Sequence, residues 1–263
     1  MLRMSIAGGV AGLMLIGALG VAAAQSGPTG YLAPGSFDLM SVLPPAPKAG
    51  DPRDKTDRAI FRDTQKRFIG TPRWDMAIND VKLTPADLMQ DFSCSVGIAL
   101  TPGNAPKTAA LVTRVTIDTY KATQAAKKFY NRKRPFLVDH AMRTCQAPEE
   151  LKGSADYPSG HTTLGWTWAT LLAGLAPDRA TPILARGRAY GESRIVCGVH
   201  NYSAVEAGRL SSAATLGAVA GSPDFQSDFA VARAEIDALR RDPSTAKPGH
   251  CDAEATLVAQ PML

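Results

Sequence analysis

Apolar residues recur at helical spacing along most of this chain. In the clearest case, Leu164, Trp168, Leu171, Leu172 and Leu175 fall on one face of an α-helix. Similar patterns predict helices over residues 57–69, 85–92, 177–190, 203–218 and 225–239, and one from residue 104 into the lysines before Pro135. Alternating apolar and polar positions, which would indicate strands, are scarce. The pattern therefore predicts an all-α fold.

The first 24 residues differ from the rest of the chain. Arg3 precedes an apolar stretch of about 16 residues, from Ile6 to Val21, and three alanines follow it. This order is typical of a secretory signal peptide that is cleaved near Ala24. A membrane anchor is the alternative, and it is disfavoured because a spanning helix needs about 20 apolar residues. We therefore expect a periplasmic or secreted protein.

The remaining sequence predicts one domain. Residues 25–55 are rich in Pro, Gly and Asp and are expected to form an extended N-terminal arm. Residues 56–263 contain neither an internal repeat nor a linker, so we expect a single helical bundle there. No later stretch is apolar enough for stable membrane insertion.

Net charge excludes one class of partner. The formal charge is +5, to which Arg3 contributes one, and the basic residues are spread through the chain. Because there is no basic block, nucleic-acid binding is not indicated. The sequence leaves open whether the chain forms a homo-oligomer.

The chain has four cysteines, all after the predicted cleavage point: Cys94, Cys145, Cys197 and Cys251. An even number in a chain sent to an oxidising compartment predicts two disulfides, for which three pairings exist. Zinc binding is the alternative, and it is disfavoured because the chain has no Cys-x-x-Cys pair.

Three short runs in the second half of the chain carry the candidate chemistry. They are Lys127-x6-Arg134-Pro135, Pro158-Ser159-Gly160-His161 and Ser193-Arg194-x5-His200. Together they supply three cations, two histidines and a Ser-Gly pair at the start of a predicted helix. A helix start presents unpaired backbone N–H groups, and Gly160 allows a phosphate oxygen to approach the backbone. Fixed cations can hold a phosphate without Mg²⁺ or Zn²⁺, so no cofactor is expected.

The order and spacing of the runs resemble the tripartite signature of the type 2 phosphatidic acid phosphatase and vanadium haloperoxidase superfamily. Within it, the chain is similar to the class A bacterial acid phosphatases, also in Leu43-Pro-Pro-Ala-Pro47 and Gly70-Thr-Pro-Arg-Trp74. The resemblance implies a helical acid phosphatase that acts on phosphate monoesters and is inhibited by inorganic phosphate or vanadate. It also implies Cys145–Cys197 pairing, which leaves Cys94 for Cys251.

Roles for the site residues follow from the same resemblance. His200 is expected to be the nucleophile that forms a phosphohistidine, and His161 the general acid. The phosphate is expected to bind Lys127, Arg134, Ser159, Gly160 and Arg194. The other two histidines, His140 and His250, are not expected to take part.

One position departs from the family pattern. Four residues after the second histidine the family has an aspartate that orients this histidine, and this chain has Ala204. Because a carboxylate normally sets the imidazole tautomer, we expect Ala204→Asp to raise kcat unless a backbone carbonyl, a water or Glu192 holds the ring. Glu206 is expected to be engaged in a capping box with Ser203.

Three other functions remain as alternatives. A phosphate-binding relative weakened at its nucleophile would fit Ala204. A vanadate-dependent haloperoxidase would use a similar oxyanion site, although the chain is short for those enzymes. Hydrolysis of lipid phosphates is disfavoured, because the integral-membrane branch needs several spanning helices.

Overall fold

A computed structural model describes Met1 and residues 29–262. The predicted signal peptide, residues 1–24, therefore lies almost entirely outside the described residues. Within them the chain forms nine α-helices and no strand, which confirms the all-α prediction. The helices are α1 (Pro52–Phe68), α2 (Pro72–Asn79), α3 (Pro85–Val96), α4 (Pro106–Tyr130), α5 (Gly160–Leu175), α6 (Ala180–Val196), α7 (Tyr202–Val219), α8 (Pro223–Arg241) and α9 (Cys251–Ala259).

Local capping explains where several helices begin. Thr84 caps α3 in a reciprocal capping box with Asp87, and Pro85 occupies the first helical position, as predicted. Asp51 caps α1 by accepting a hydrogen bond from the Asp54 N–H. Helix α1 therefore begins at Pro52, inside the segment predicted as an extended arm.

Two helices are absent from the prediction. Helices α2 and α9 have only 8 and 9 residues, so neither repeats an apolar position often enough to produce a clear periodic pattern. Helix α6 also continues past the predicted end at Tyr190 to Val196. Its last turns carry buried polar side chains, among them Glu192, Ser193 and Arg194. Because these buried positions are not apolar, the apolar pattern ends before the helix does.

Helix α5 lies at the centre of the fold and packs against α3, α4, α6, α7 and α8. Its closest neighbour is α6, where a Cβ on Gly165 would lie 2.2 Å from the Tyr190 ring and one on Gly187 would lie 2.3 Å from Ala169. Only glycine permits this approach of the two backbones. The packing brings the N-terminus of α5 beside the C-terminal ends of α4 and α6.

Both disulfides have the pairing that the resemblance implied. Cys94 is bonded to Cys251, which fastens α9 to α3. Cys145 is bonded to Cys197, with the two Cα atoms 4.8 Å apart. This second bridge joins the loop after α4 to the end of α6, so it ties together two segments that carry candidate site residues.

The predicted capping box at the start of α7 is wrong. The N-cap residue is Asn201, and the Ser203 hydroxyl donates to Asp57 Oδ2 at 2.5 Å instead of capping the helix. Glu206 pairs with Arg209. A buried carboxylate from α1 competes successfully for the serine hydroxyl, and sequence spacing does not reveal such a contact.

Among the residues that the structure describes, no helix combines the length and the apolar character that crossing a bilayer requires.

Candidate functional site

The three sequence runs meet at one end of the bundle, around the N-terminus of α5. Lys127 lies in the last turn of α4, Arg194 in the last turn of α6, and His161 in the first turn of α5. Arg134 and His200 lie in the loops that follow α4 and α6. A cavity of about 300 Å³ is lined by Lys127, Arg134, Gly160, His161 and His200 among others.

The cations of this cavity are held by neutral groups. Lys127 Nζ donates to the Ala155 carbonyl, and Arg134 donates to the carbonyls of Ser154 at 2.7 Å and Val199 at 2.9 Å. Within the described part of the chain, neither these two side chains nor Arg194 form a salt bridge. The Asp156 carboxylate acts on Lys127 and Arg134 from beyond salt-bridge distance, so their positive charges are only partly compensated.

Burial and mutual repulsion disfavour the charged forms of these cations. Burial lowers the pKa of Lys127, and the charges of Arg134 and Arg194 lower it further. Burial likewise lowers the pKa of both arginines to about 10, so they stay charged at neutral pH. A bound anion would relieve this electrostatic cost.

Arg194 is completely buried and only partly hydrogen-bonded. Its Nη2 donates to Gln146 Oε1 at 2.7 Å, and Gln146 lines the cavity. Among the described residues, Nε and Nη1 of Arg194 have no hydrogen-bond partner. Leaving such donors unmet costs about 1–3 kcal/mol each or more, so an arginine in this state is suited to bind the oxygens of an anion.

The start of α5 adds neutral donors. Ser159 is the N-cap residue, and its Oγ accepts hydrogen bonds from Thr162 N at 3.3 Å and Thr162 Oγ1 at 2.9 Å. Because these bonds use its lone pairs, the Ser159 hydroxyl proton is free to be donated. The positive end of the helix dipole and the Gly160 backbone favour an anion at the same place.

Two opposite contacts determine the tautomer of His200. Arg134 Nη1 lies 3.0 Å from His200 Nε2, and a guanidinium can only donate, so Nε2 carries no proton. On the other side of the ring, Nδ1 donates to Asp156 Oδ1 at 2.9 Å. Burial and the charges of Arg134, Lys127 and Arg194 hold the pKa of His200 well below its usual value. His200 is therefore neutral, with a bare nitrogen beside the cations.

His161 is held by a backbone group. Its Nε2 lies 3.1 Å from the Val81 carbonyl, which can only accept, so Nε2 carries a proton. Nδ1 is then the nitrogen that gains and loses a proton. Burial holds the pKa of His161 well below its usual value, and the positive charges of Arg194, Arg134 and Lys127 act in the same direction.

Comparison with known proteins agrees with this geometry. Residues 108–226 match the family model described as the PAP2 superfamily. An acid phosphatase of Zymomonas mobilis is 37% identical over 218 residues, which cover 82% of each chain. This chain belongs to the acid phosphatase family of the PAP2 superfamily. The non-specific acid phosphatases of Salmonella typhimurium and Providencia stuartii are 36% and 31% identical, over 77% and 78% of this chain and 81% and 84% of theirs.

In this PAP2 protein the group at Nδ1 of the second histidine is Asp156, and not the backbone carbonyl, water or Glu192 named as candidates from the sequence. Asp156 lies in the loop before α5, 44 residues from His200, so the spacing around residue 204 does not reveal it. The available signal was an aspartate immediately before the run Tyr157-Pro-Ser-Gly-His161. Glu192 does not hold the ring, since both of its oxygens accept from Arg188. Ala204 is fully buried in a cluster with Leu39, Leu43, Ala126, Tyr157 and Ala207.

The two remaining histidines lie outside this PAP2 site. His140 and His250 are both exposed, and neither lines the cavity. The wall of the cavity beyond the cations is formed largely by neutral side chains, among them Leu83, Tyr120 and Leu164. Five of the predicted site residues line the cavity, whereas Ser159 and Arg194 are fully buried and do not line it.

Proposed function

We propose that this acid phosphatase hydrolyses phosphate monoesters in two steps through a phosphohistidine on His200, without a metal ion. The observation that carries the proposal is the bare Nε2 of neutral His200 near three buried cations that form no salt bridge within the described part of the chain. A phosphate monoester supplies the missing negative charge, and it places phosphorus next to a nitrogen lone pair.

In the first step, His200 Nε2 attacks phosphorus while the bond from phosphorus to the ester oxygen breaks. Arg134, Arg194 and Lys127 stabilise the charge on the three remaining phosphate oxygens. Protonated His161 donates a proton from Nδ1 to the leaving oxygen, so an alcohol is released. The products of this step are the alcohol, a phosphohistidine and neutral His161.

In the second step, water attacks the phosphohistidine. Neutral His161 accepts a proton from the water at Nδ1, which restores its protonated form. The bond between phosphorus and Nε2 breaks, and inorganic phosphate leaves with His200 again neutral. The cations hold the same oxygens in both steps.

The proposed compartment is outside the cytoplasm. Two disulfides and no free cysteine among the described residues support this placement, because structural disulfides persist in oxidising surroundings. The alternative of a catalytically weakened relative rested on Ala204, and the carboxylate of Asp156 beside His200 Nδ1 supports an active enzyme instead. The phosphatase names of the relatives favour hydrolysis over haloperoxidase chemistry.

Activity should survive a chelator and be blocked by vanadate. The cations that hold the phosphate are part of the protein, so EDTA removes nothing the reaction needs, whereas vanadate adopts the five-coordinate geometry of the transition state. The measurement is release of a chromogenic alcohol from an aryl phosphate with each additive. Loss of activity in EDTA that Zn²⁺ or Mg²⁺ restores would contradict the proposed mechanism.

Activity should increase as the pH falls from neutral toward about 6, the value to which burial raises the pKa of Asp156, and should decline below it as this carboxylate is protonated. The free enzyme must carry protonated His161, whose pKa is lowered, so kcat/KM declines as pH rises above this pKa. The lowered pKa of His200 keeps the nucleophile neutral at the same pH. Because a bound dianion raises the pKa of His161, the alkaline decline of kcat should occur at a higher pH than that of kcat/KM. A kcat/KM that increases from pH 6 to 8 would exclude His161 as the acid.

A further inference from the structure

We propose that Asp156 is the residue that positions His200 for attack, and that it does so from the loop before α5 in place of a carboxylate on α7. This inference rests on the proposed function, since it assigns a role toward the nucleophile named there. It concerns a residue outside the three signature runs.

The carboxylate of Asp156 is held at both oxygens. Oδ1 accepts from His200 Nδ1 at 2.9 Å and from the Asn201 backbone N–H at 3.1 Å. Oδ2 accepts from Asn201 Nδ2 at 2.9 Å and lies 3.3 Å from Arg132 Nη1. With four donors around it and no solvent exposure, this side chain has one accessible orientation. The imidazole that donates to it is oriented as well.

Arg132 connects this carboxylate to the rest of the fold. Its guanidinium also pairs with Asp57 at 2.9 Å and Asp54 at 3.1 Å, both on α1. Asp57 in turn accepts from the backbone N–H of Ser203 at 2.8 Å, in the first turn of α7. The loop that carries Asp156, helix α1 and the start of α7 are thus joined around His200, so the orientation of its ring does not depend on one flexible loop.

A carboxylate at Nδ1 has two effects on the chemistry. It keeps the single proton of neutral His200 on Nδ1, which leaves Nε2 bare even when Arg134 turns toward a bound phosphate. It also stabilises the positive charge that develops on the imidazole as Nε2 bonds to phosphorus. The first effect determines the tautomer before the reaction, and the second lowers the free-energy barrier of attack. Neither effect involves a contact with the phosphate, so both should increase kcat and change substrate affinity little.

A carboxylate at position 204 is not needed to orient His200. Nδ1 of His200 has one proton, and Asp156 already accepts it. The Ala204 side chain is buried among apolar residues, where a carboxylate without a partner would be costly. We therefore expect Ala204→Asp to leave kcat unchanged or lower it, which reverses the expectation drawn from the sequence.

The main test is Asp156→Asn, which keeps the size of the side chain and one accepting oxygen, removes the charge, and replaces the second accepting oxygen with an NH₂ donor. We expect kcat to fall about 100-fold or more, since the equivalent change in a serine protease costs about 10⁴. The inhibition constant for inorganic phosphate should change less than about threefold, because Lys127, Arg134 and Arg194 are intact. Rapid-quench trapping of the phosphorylated protein should show that its formation is slowed.

The matched control is Asp118→Asn. Asp118 is also a buried carboxylate that accepts from backbone N–H groups, those of Tyr31 at 2.6 Å and Leu32 at 3.3 Å, and it does not line the catalytic cavity. Its loss should lower the melting temperature but leave kcat within about threefold of the unaltered enzyme. A similar fall of kcat in both variants would show that Asp156 acts only through stability.

A measurement on the unaltered protein does not depend on the folding of the Asp156 variant. ¹⁵N NMR of histidine-labelled protein, with His200 assigned by its absence from His200→Ala, should show Nδ1 protonated and Nε2 bare. A proton on Nε2, a kcat of Asp156→Asn near that of the unaltered enzyme, or a gain of kcat in Ala204→Asp would each overturn the proposal. If the unaltered protein releases no phosphate, the proposed function itself fails, and the NMR result still decides whether Asp156 sets the tautomer.

Discussion

His200→Ala should reduce phosphate release to the background level, a loss on the order of 10⁶-fold, comparable to removing the nucleophile of a protease. The reason is that His200 presents its bare Nε2 to Arg134, whereas His161, the other imidazole at the cavity, is needed as the acid that protonates the leaving oxygen. Protein incubated with ³²P-labelled substrate and quenched in alkali should retain label in the unaltered enzyme and none in the variant. The base-stable, acid-labile character of the label would identify a phosphohistidine.

Two controls make this result specific. His140→Ala removes an exposed imidazole outside the cavity and should leave both activity and labelling unchanged. His200→Ala itself should still be stabilised by inorganic phosphate in a thermal shift, because the cations remain. Labelled His200→Ala protein would mean that the phosphoryl group is transferred to another residue, and His200 would lose its proposed role.

Arg194→Met should have opposite effects on stability and on binding. In phosphate-free buffer the melting temperature should rise, because the change removes a buried guanidinium that has unpaired N–H groups and repels Arg134 and Lys127. The inhibition constant for phosphate should rise about 100-fold, which corresponds to about 2.7 kcal/mol. At a phosphate concentration of 100 times its Kd, phosphate should stabilise the unaltered enzyme by about 2.7 kcal/mol. At the same concentration it should stabilise the Arg194→Met variant hardly at all.

The control for the sign of this effect is Arg186→Met. Arg186 is equally buried but is paired with Asp80 at 2.6 Å. Its removal leaves Asp80 as an uncompensated buried charge, so the variant should lose about 3–5 kcal/mol of stability. If Arg194→Met is also destabilised in phosphate-free buffer, then Arg194 has structural partners that matter more than the anion, and its assignment to phosphate binding is wrong.

The sequence by itself determined most of the helices and which residues to propose as phosphate-binding groups. Helix α5 was predictable because its apolar residues repeat every three or four positions and Ser159 caps it locally. The cations and histidines were predictable because each lies in a short run whose internal spacing is characteristic. Both kinds of information are carried by residues close together in the chain. The disulfide pairing came only from the resemblance.

Tertiary structure alone decided how the two histidines are held. Asp156 meets His200 across 44 residues and Val81 meets His161 across 80, and no local pattern encodes either contact. The same is true of Ser203, whose predicted cap is replaced by a bond to Asp57 from α1. Buried polar groups take whichever partner the packing brings within hydrogen-bonding distance, because leaving them unpaired is costly. Short sequence runs therefore indicate which side chains can react. The packing of distant segments determines how these side chains are oriented and which of their nitrogens carries the proton.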